Sequence, residues 1–313
     1  MGRFAAGDAP DIDRLVEETV RAVGAEIEAL APPRLAGVVL GGGYARGEGG
    51  VKTLPGGGHA LYNDLDFYVV TEEGASGADI AAIAAALRPV SEKWTARLGV
   101  DVDFCTPKTP WRIRHDQERL MIQELVHGYV DVAGRKGEEL FAGVERRGSG
   151  DFPWTEAVRL LVNRGAGLLM AKERGESGFA VRNINKCVLG AGDARLIARH
   201  AYRWKAPERA EALGDALYSR AVEWKFRPSD KAVCGWEEAR EAWLSAADEV
   251  SRAGKAGRSL YQAVRWVARR RTLGELATFG LDPVARVFRR MRRVVEARGP
   301  FDPGLARDWE VFN

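Results

Sequence analysis

The sequence predicts an α/β layer, in which helices pack on a sheet, followed by an all-α region. Two observations predict this fold class. Up to about residue 115, short apolar runs alternate with segments of helical periodicity. From about Asp116 the strand signals nearly vanish, while helical periodicity continues through at least five further segments. We therefore predict two domains, an α/β domain over residues 1–135 and a helical bundle over residues 136–313.

The first predicted element is a helix over residues 11–30. Its sequence, DIDRLVEETVRAVGAEIEAL, spaces apolar residues every three or four positions. Asp11 or Asp13 could cap its start. Pro32 and Pro33 stop it, because proline removes a backbone donor and clashes with the preceding turn.

Three strands and a second long helix follow in the predicted α/β domain. LAGVVL (35–40) is short, apolar and β-branched, which is typical of a buried strand. DLDFYVV (64–70) and VDVDFC (100–105) are predicted as the second and third strands. Residues 77–99 have helical periodicity, with a possible break near Pro89. The Gly-rich segment 47–63 is predicted to be a long loop, and loops of that length are often functional.

Two pairs of aspartates stand out on the second and third predicted strands. Asp64 and Asp66 alternate with apolar residues, so they share one face of their strand, roughly 7 Å apart at about 3.3 Å per residue. Asp101 and Asp103 repeat the arrangement. If the two strands are neighbours, three or four carboxylates converge. A divalent cation is a natural counter-ion, because hard cations take carboxylate oxygens.

The first strand ends in three glycines, Gly41 to Gly43. A turn without side chains exposes backbone N–H groups, which can form an anion-binding concavity. Tyr44 could open a helix there, and Arg46 adds a planar cation suited to phosphate oxygens. The glycine turn would then bind phosphate and the aspartates would bind a metal, which is the arrangement that phosphoryl transfer uses.

The motifs GGYARGE, NDLDFYVV and VDVDF resemble the nucleotidyltransferase superfamily related to DNA polymerase beta. That superfamily includes aminoglycoside nucleotidyltransferases, tRNA CCA-adding enzymes, poly(A) polymerases and minimal nucleotidyltransferases. The resemblance covers roughly residues 35–105 and implies a small mixed sheet flanked by helices, with a helical domain that shapes the substrate cleft. Two departures are a Gly-rich insertion between the motifs and the absence of the serine common at the second Gly position.

The resemblance also implies roles for individual residues. Asp64 and Asp66 correspond to the metal-binding pair. The third acid is Asp101 or Asp103, either of which could act in catalysis, and we favour Asp101 as the third metal ligand. The implied cofactor is Mg²⁺, as two ions, with Mn²⁺ as a possible substitute.

The nucleotide-binding residues implied by the resemblance lie in both predicted domains. They are Gly42, Gly43, Tyr44, Arg46 and, from the helical region, Lys186. The nucleotide would be a nucleoside triphosphate, with ATP as the first candidate.

The activity implied is transfer of a nucleoside monophosphate to a hydroxyl, with release of pyrophosphate. A small-molecule acceptor is favoured. One alternative is nucleotide addition to an RNA end, for which the Arg-dense segment 265–298 would supply a phosphate surface. A second alternative is a non-catalytic nucleotide-binding module, such as an antitoxin or a sensor.

Composition limits the remaining possibilities. The net charge is only +3, which gives little support for general nucleic-acid binding. The three cysteines have no C-x-x-C spacing, which favours a reduced protein without a zinc site. No apolar run is long enough to span a membrane, and we expect a cytoplasmic protein with no membrane partner.

Overall fold

The computed structural model of this protein describes residues 2–256 and 283–312. The chain divides into two compact units. The first comprises Met1–Arg147 with Lys225–Pro228, and the second comprises Gly148–Trp224 with Ser229–Asn313.

The first unit is built on a small four-stranded mixed sheet, of which the sequence pattern predicts three strands and the resemblance implies the mixed character. Its strands are β1 (Leu35–Leu40), β4 (Leu65–Thr71), β5 (Val102–Phe104) and β6 (Val130–Gly134), in the order β5-β4-β1-β6. Strand β1 is antiparallel to both β4 and β6, whereas β4 and β5 are parallel.

Helices cover both faces of this sheet. On one face, α1 (Pro10–Leu30) and α3 (Gly77–Leu98) pack on apolar residues of alternating strand positions, such as Leu65 and Phe67. On the other face, α4 (Pro110–His115), α5 (Leu120–His127) and α6 (Gly137–Leu140) contribute to a second apolar cluster.

The two long helices agree with their periodicity, with two differences in detail. Helix α1 buries Ile12, Val16, Val20, Val23 and Ile27 at the spacing of one helical face. Neither predicted aspartate caps it, because its N-cap is Ala9 with no side-chain hydrogen bond. Helix α3 runs through Pro89 without a break, since its buried apolar residues lie on both sides of this exposed proline.

The predicted loop over residues 47–63 contains a small hairpin instead. Strands β2 (Val51–Thr53) and β3 (His59–Leu61) pair antiparallel as a separate two-stranded sheet. The three glycines at its tip, Gly56, Gly57 and Gly58, all have positive φ, which explains why the segment resembles a loop in sequence.

The first unit extends beyond the boundary predicted after residue 135. Strand β6 pairs with β1, and α6 packs against the same strand. Both elements therefore belong to the first unit, which continues to Arg147. The sequence pattern missed β6 because the strand is only five residues long, VDVAG, and begins three residues after a helical segment ends.

The regular elements described in the second unit are helices. They begin with α7 (Trp154–Arg174), α8 (Gly178–Ala198) and α9 (Ala206–Leu213). Four more follow along the chain: α10 (Ala216–Phe226), α11 (Trp236–Ala256), α12 (Pro283–Glu296) and α13 (Pro303–Phe312). Helix α7 packs against α8, α11, α12 and α13, with Trp243 fully buried between them. None of the helices within residues 2–256 and 283–312 is long and apolar enough to cross a lipid bilayer.

Candidate functional site

Three strand ends meet at one edge of the first unit's sheet. Because β1 is antiparallel to β4 and β4 is parallel to β5, the end of β1 lies beside the starts of β4 and β5. The N–H of Gly41, just after β1, donates to the carbonyl of Asp66 at 2.8 Å. The glycine turn and the aspartates therefore lie together, although they are separated in sequence.

The register between β4 and β5 brings the two aspartate pairs side by side. Asp66 lies directly opposite Asp103, and Leu65 opposite Val102. Alternation then places the aspartates on the face opposite to the buried leucine and valine. They border a cleft of about 310 Å³, which is lined by Asp64, Asp66, Ser91, Thr95, Asp101, Val102 and Asp103.

The two candidates for a third acid differ in their position. Asp103 lies within β5 opposite Asp66, whereas Asp101 precedes the strand and is bound through its backbone, with its carbonyl accepting from the Leu65 N–H at 2.9 Å. The register therefore favours Asp103 as the partner of Asp66, in contrast to the sequence-based preference for Asp101.

The crowding of carboxylates has an electrostatic consequence at Asp103. Asp103 is an exposed residue, yet partial burial of its carboxyl raises the pKa above its ordinary value, and the charges of Asp64 and Asp101 raise it further. The folded protein therefore binds a proton at Asp103 more tightly than the unfolded chain does.

This shift predicts a pH dependence of the metal-free protein. A raised folded-state pKa means that stability is lost as pH rises from the ordinary carboxyl pKa of 3.8 through the folded value. Removing the group in Asp103→Asn should therefore raise the free energy of unfolding relative to wild type, and the gain should grow with pH over this window. Urea unfolding of both proteins between about pH 4 and 7 measures it. Parallel pH profiles would contradict the assigned shift.

The donor set fits a hard cation, although not as a complete cage. Within the described residues, no three His, Cys, Asp or Glu side chains are close enough as they stand to hold one metal ion. Mg²⁺ does not require three, because it usually keeps several waters and binds one or two carboxylates together with substrate phosphates. Asp66 and Asp64 supply two such carboxylates from β4 and the residue before it, and Asp101 and Asp103 line the same cleft.

Gly42 and Gly43 begin the short helix α2 (Gly42–Ala45), which follows β1 and lies beside the Asp66 carboxylate. Gly42 has a φ of +71°, and a Cβ at this position would lie 2.5 Å from Oδ2 of Asp66. A Cβ on Gly43 would lie 3.2 Å from the carbonyl oxygen of Glu48. The absence of a side chain at Gly42 thus lets the turn approach the Asp66 carboxylate.

Tyr44 has a structural role rather than the predicted nucleotide contact. The side chain is buried, with 1% of its surface exposed. Its hydroxyl donates to the Gly50 carbonyl at 2.8 Å and accepts from the Tyr62 N–H at 3.1 Å, which closes the base of the β2–β3 hairpin. Burial raises the pKa of this phenol to about 12, so it stays neutral.

Arg46 lies close to the site but is already paired. Its guanidinium is 3.6 Å from the Glu124 carboxylate on α5, with only 13% and 23% of the two side chains exposed. A phosphate contact by Arg46 would therefore compete with Glu124. Nothing in the sequence around Glu124 indicates this ion pair.

The residues predicted from the helical region belong to the second unit, whereas the aspartates and the glycine turn belong to the first. Lys186 is half-buried on α8 of the second unit. Of the Arg-dense segment 265–298, residues 265–282 lie outside the described residues. In the remainder, several arginines form ion pairs with acids: Arg290 with Asp302 and Asp308, Arg292 with Asp248 and Glu296, and Arg298 with Glu237. This pairing reduces the positive charge that an RNA surface would need.

Sequence reasoning missed two features of the site. Ser91 and Thr95 line the cleft from α3, and nothing in their sequence context distinguishes them from other helical hydroxyls. Glu48, which falls in the segment predicted as a loop, is buried and forms an ion pair with Lys225 at 2.6 Å. Both features depend on tertiary neighbours.

Comparisons with protein-family models, with curated proteins and with solved structures find no match for this chain.

Proposed function

We propose that this protein transfers a nucleoside monophosphate from a nucleoside triphosphate to a hydroxyl of a small molecule and releases pyrophosphate. The observation that carries the proposal is the juxtaposition of Asp66, Asp103 and Gly42 at one sheet edge. Asp66 faces Asp103 across β4 and β5, and Oδ2 of Asp66 abuts the glycine turn.

The aspartates and the glycine turn have separate roles in the proposed reaction. Asp66 and Asp64 would hold Mg²⁺ in the cleft, with Asp103 beside them. When bound, Mg²⁺ would neutralise phosphate oxygens and lower the pKa of the attacking hydroxyl. The glycine turn allows phosphate oxygens to approach the backbone closely.

Proton transfer falls to Asp103, the acid that lies opposite Asp66. The acceptor oxygen would form a bond to the α-phosphorus while the bond from that phosphorus to the pyrophosphate oxygen breaks. Asp103 would accept the hydroxyl proton, since it lies opposite Asp66 and lines the cleft in which the acceptor would bind.

The cleft favours a small acceptor over an RNA end. Its volume of about 310 Å³ suits a small ligand. None of its seven lining residues is basic, so the cleft itself offers no cationic surface for an RNA backbone. The ion-paired arginines of α12 add no support for RNA.

A non-catalytic nucleotide-binding module is the second candidate. The absence of three converging ligands within the described residues favours it, because a pocket that binds nucleotide needs no complete metal site. Calorimetric titration with ATP and Mg²⁺, combined with a pyrophosphate-release assay, separates the two. We expect binding together with release when an acceptor is present. Binding without release from any acceptor pool would favour the module, and failure to bind would refute both.

The glycine turn offers a matched pair of variants. Gly42→Ala places a methyl group against Asp66 at a positive φ, which strains the backbone and displaces the carboxylate. Gly56→Ala imposes similar strain at φ +92°, with no atom within 4 Å of the new Cβ. We expect both variants to lose about 1–2 kcal/mol of stability.

Only Gly42→Ala should weaken binding of ATP and Mg²⁺, by at least about tenfold, since only there does the methyl group meet a proposed ligand residue. Thermal unfolding and calorimetric titration measure the two effects. Equal nucleotide affinities of the two variants would show that Gly42 serves only the fold.

A further inference from the structure

Asp64 lies just before the strand that carries the other acid of its pair. Strand β4 begins at Leu65, whose N–H donates to the Asp101 carbonyl at 2.9 Å. Asp66 lies inside the strand, in register with Asp103. Because Asp64 precedes these paired residues, the position of its carboxylate depends also on what holds the chain on its N-terminal side.

Two side chains hold the chain on that side. The Tyr44 hydroxyl accepts from the Tyr62 N–H at 3.1 Å and donates to the Gly50 carbonyl at 2.8 Å. The Asn63 side chain accepts from the Gly50 N–H at 2.7 Å. Both backbone groups of Gly50 therefore bond to side chains. Through these bonds the two residues that precede Asp64 are fixed to the loop that follows the glycine turn.

The surroundings of Tyr44 leave little room for any other arrangement. Its buried ring lies directly against Gly49, where a Cβ would overlap ring carbons. A Cβ on Gly50 would lie 2.6 Å from Oδ1 of Asn63. Burial is the main cause of the raised pKa of the Tyr44 phenol, and the charge of Asp64 adds to it. The phenol and this carboxylate are therefore close enough to interact.

Tyr44 belongs to α2, the short helix that begins at the glycine turn. Its side chain therefore connects the proposed phosphate-binding turn with the segment that leads into the metal-binding pair. We propose that Tyr44, together with Asn63, is a positioning residue that holds Asp64 where it can bind the cation beside Asp66. The consequence for metal binding rests on the proposed function, whereas the ordering of Asp64 by Tyr44 does not.

The test uses Tyr44→Phe, which removes the hydroxyl and keeps the buried ring. Calorimetric titration with ATP at a series of Mg²⁺ concentrations gives the Mg²⁺ requirement, defined as the Mg²⁺ concentration that gives half of the full ATP affinity. We expect this requirement to rise at least about tenfold, because Asp64 is no longer held beside the cation. An unchanged Mg²⁺ requirement would overturn the proposal.

Tyr202→Phe is the matched control. Tyr202 is a buried tyrosine of the second unit, and its hydroxyl accepts from the Arg209 guanidinium at 3.0 Å. The variant therefore also loses a buried hydrogen bond and should melt below wild type. Its Mg²⁺ requirement should stay within about twofold of the wild-type value. An equal rise in both variants would show that Tyr44→Phe acts through general destabilisation, which contradicts a positioning role.

A double-mutant cycle shows whether Tyr44 acts through Asp64. In the Asp64→Asn background the carboxylate is already lost, so adding Tyr44→Phe should change the Mg²⁺ requirement by no more than about twofold. Losses that add in full would show that Tyr44 supports the pocket independently of Asp64, and the proposal would then be wrong.

Hydrogen exchange of the metal-free protein provides an arm that needs no nucleotide. In Tyr44→Phe, the amides of Tyr62 and Leu65, which lie on either side of Asp64, should both exchange at least about tenfold faster. Faster exchange at Tyr62 alone would show that the hydroxyl secures the hairpin without ordering Asp64, which would overturn the proposal.

A second variant keeps the test decisive if Tyr44→Phe fails to fold. Asn63→Ala removes the acceptor of the Gly50 N–H, and the Gly50 and Leu65 amides should then exchange faster together, with the same rise in the Mg²⁺ requirement. If wild type binds no ATP in the presence of Mg²⁺, the proposed function fails, and exchange at Leu65 still decides whether Asp64 is ordered by these side chains.

Discussion

Replacing Asp66 or Asp64 by asparagine is expected to reduce turnover by at least about a hundredfold, equivalent to about 2.7 kcal/mol in the barrier. The substitution keeps the side-chain volume but removes the charge that would hold the cation. Asp66 is the carboxylate that lies both opposite Asp103 and against Gly42, so no neighbouring acid occupies the same position.

The same variants should leave the metal-free protein nearly as stable as wild type. The charge of Asp64 raises the pKa of Asp103, which means that the two carboxylates repel each other, and its removal relieves that repulsion. We expect Asp64→Asn to melt at or above the wild-type temperature in the absence of metal. Stabilisation by ATP and Mg²⁺ should shrink, because it follows the lost affinity.

Asp8→Asn is the matched control, since Asp8 is exposed on the N-terminal segment and the same charge is removed. It should behave as wild type in turnover and in nucleotide-linked stabilisation. Wild-type turnover in both Asp64→Asn and Asp66→Asn would remove the basis for the proposed site.

Asp103→Asn is expected to be more damaging than Asp101→Asn by at least about tenfold in kcat/KM, or about 1.4 kcal/mol. Asp103 lies in register with Asp66 and lines the cleft. Asp101 precedes the strand and pairs with β4 only through its carbonyl, which accepts from the Leu65 N–H. Steady-state kinetics of the two variants, with their melting temperatures as a check on folding, measure the difference. A larger loss in Asp101→Asn would return the third-acid role to Asp101, the choice favoured by the sequence.

Local patterns predicted the elements that carry the proposed chemistry. β1 occupies the predicted residues 35–40, and β4 is displaced by only one residue from the predicted 64–70. These strands are buried and apolar on at least one face, so composition alone identifies them. The local sequence could not show that helix α3 continues through Pro89, because packing of α3 on the sheet outweighs the lost backbone hydrogen bond.

The relations between elements could not be read from the sequence. Whether Asp101 or Asp103 faces Asp66 depends on a register that the repeated Val-Asp pattern leaves open. The roles of Ser91, Thr95 and Glu124 depend on partners distant in the chain. Tyr44 was predicted to contact the nucleotide because it follows the glycines. Its hydroxyl instead closes the β2–β3 hairpin, which the Gly-rich sequence did not reveal.

The most direct measurement of the central claim is mass spectrometry of acceptor pools incubated with this protein, Mg²⁺ and nucleoside triphosphates labelled at the α-phosphate. We predict an acceptor that gains the mass and label of one nucleoside monophosphate, with pyrophosphate released in equal amount, in wild type but not in Asp66→Asn. Label that stays in the nucleotide across all pools, or transfer that persists in Asp66→Asn, would contradict the assignment of this cleft as a nucleotidyl-transfer site.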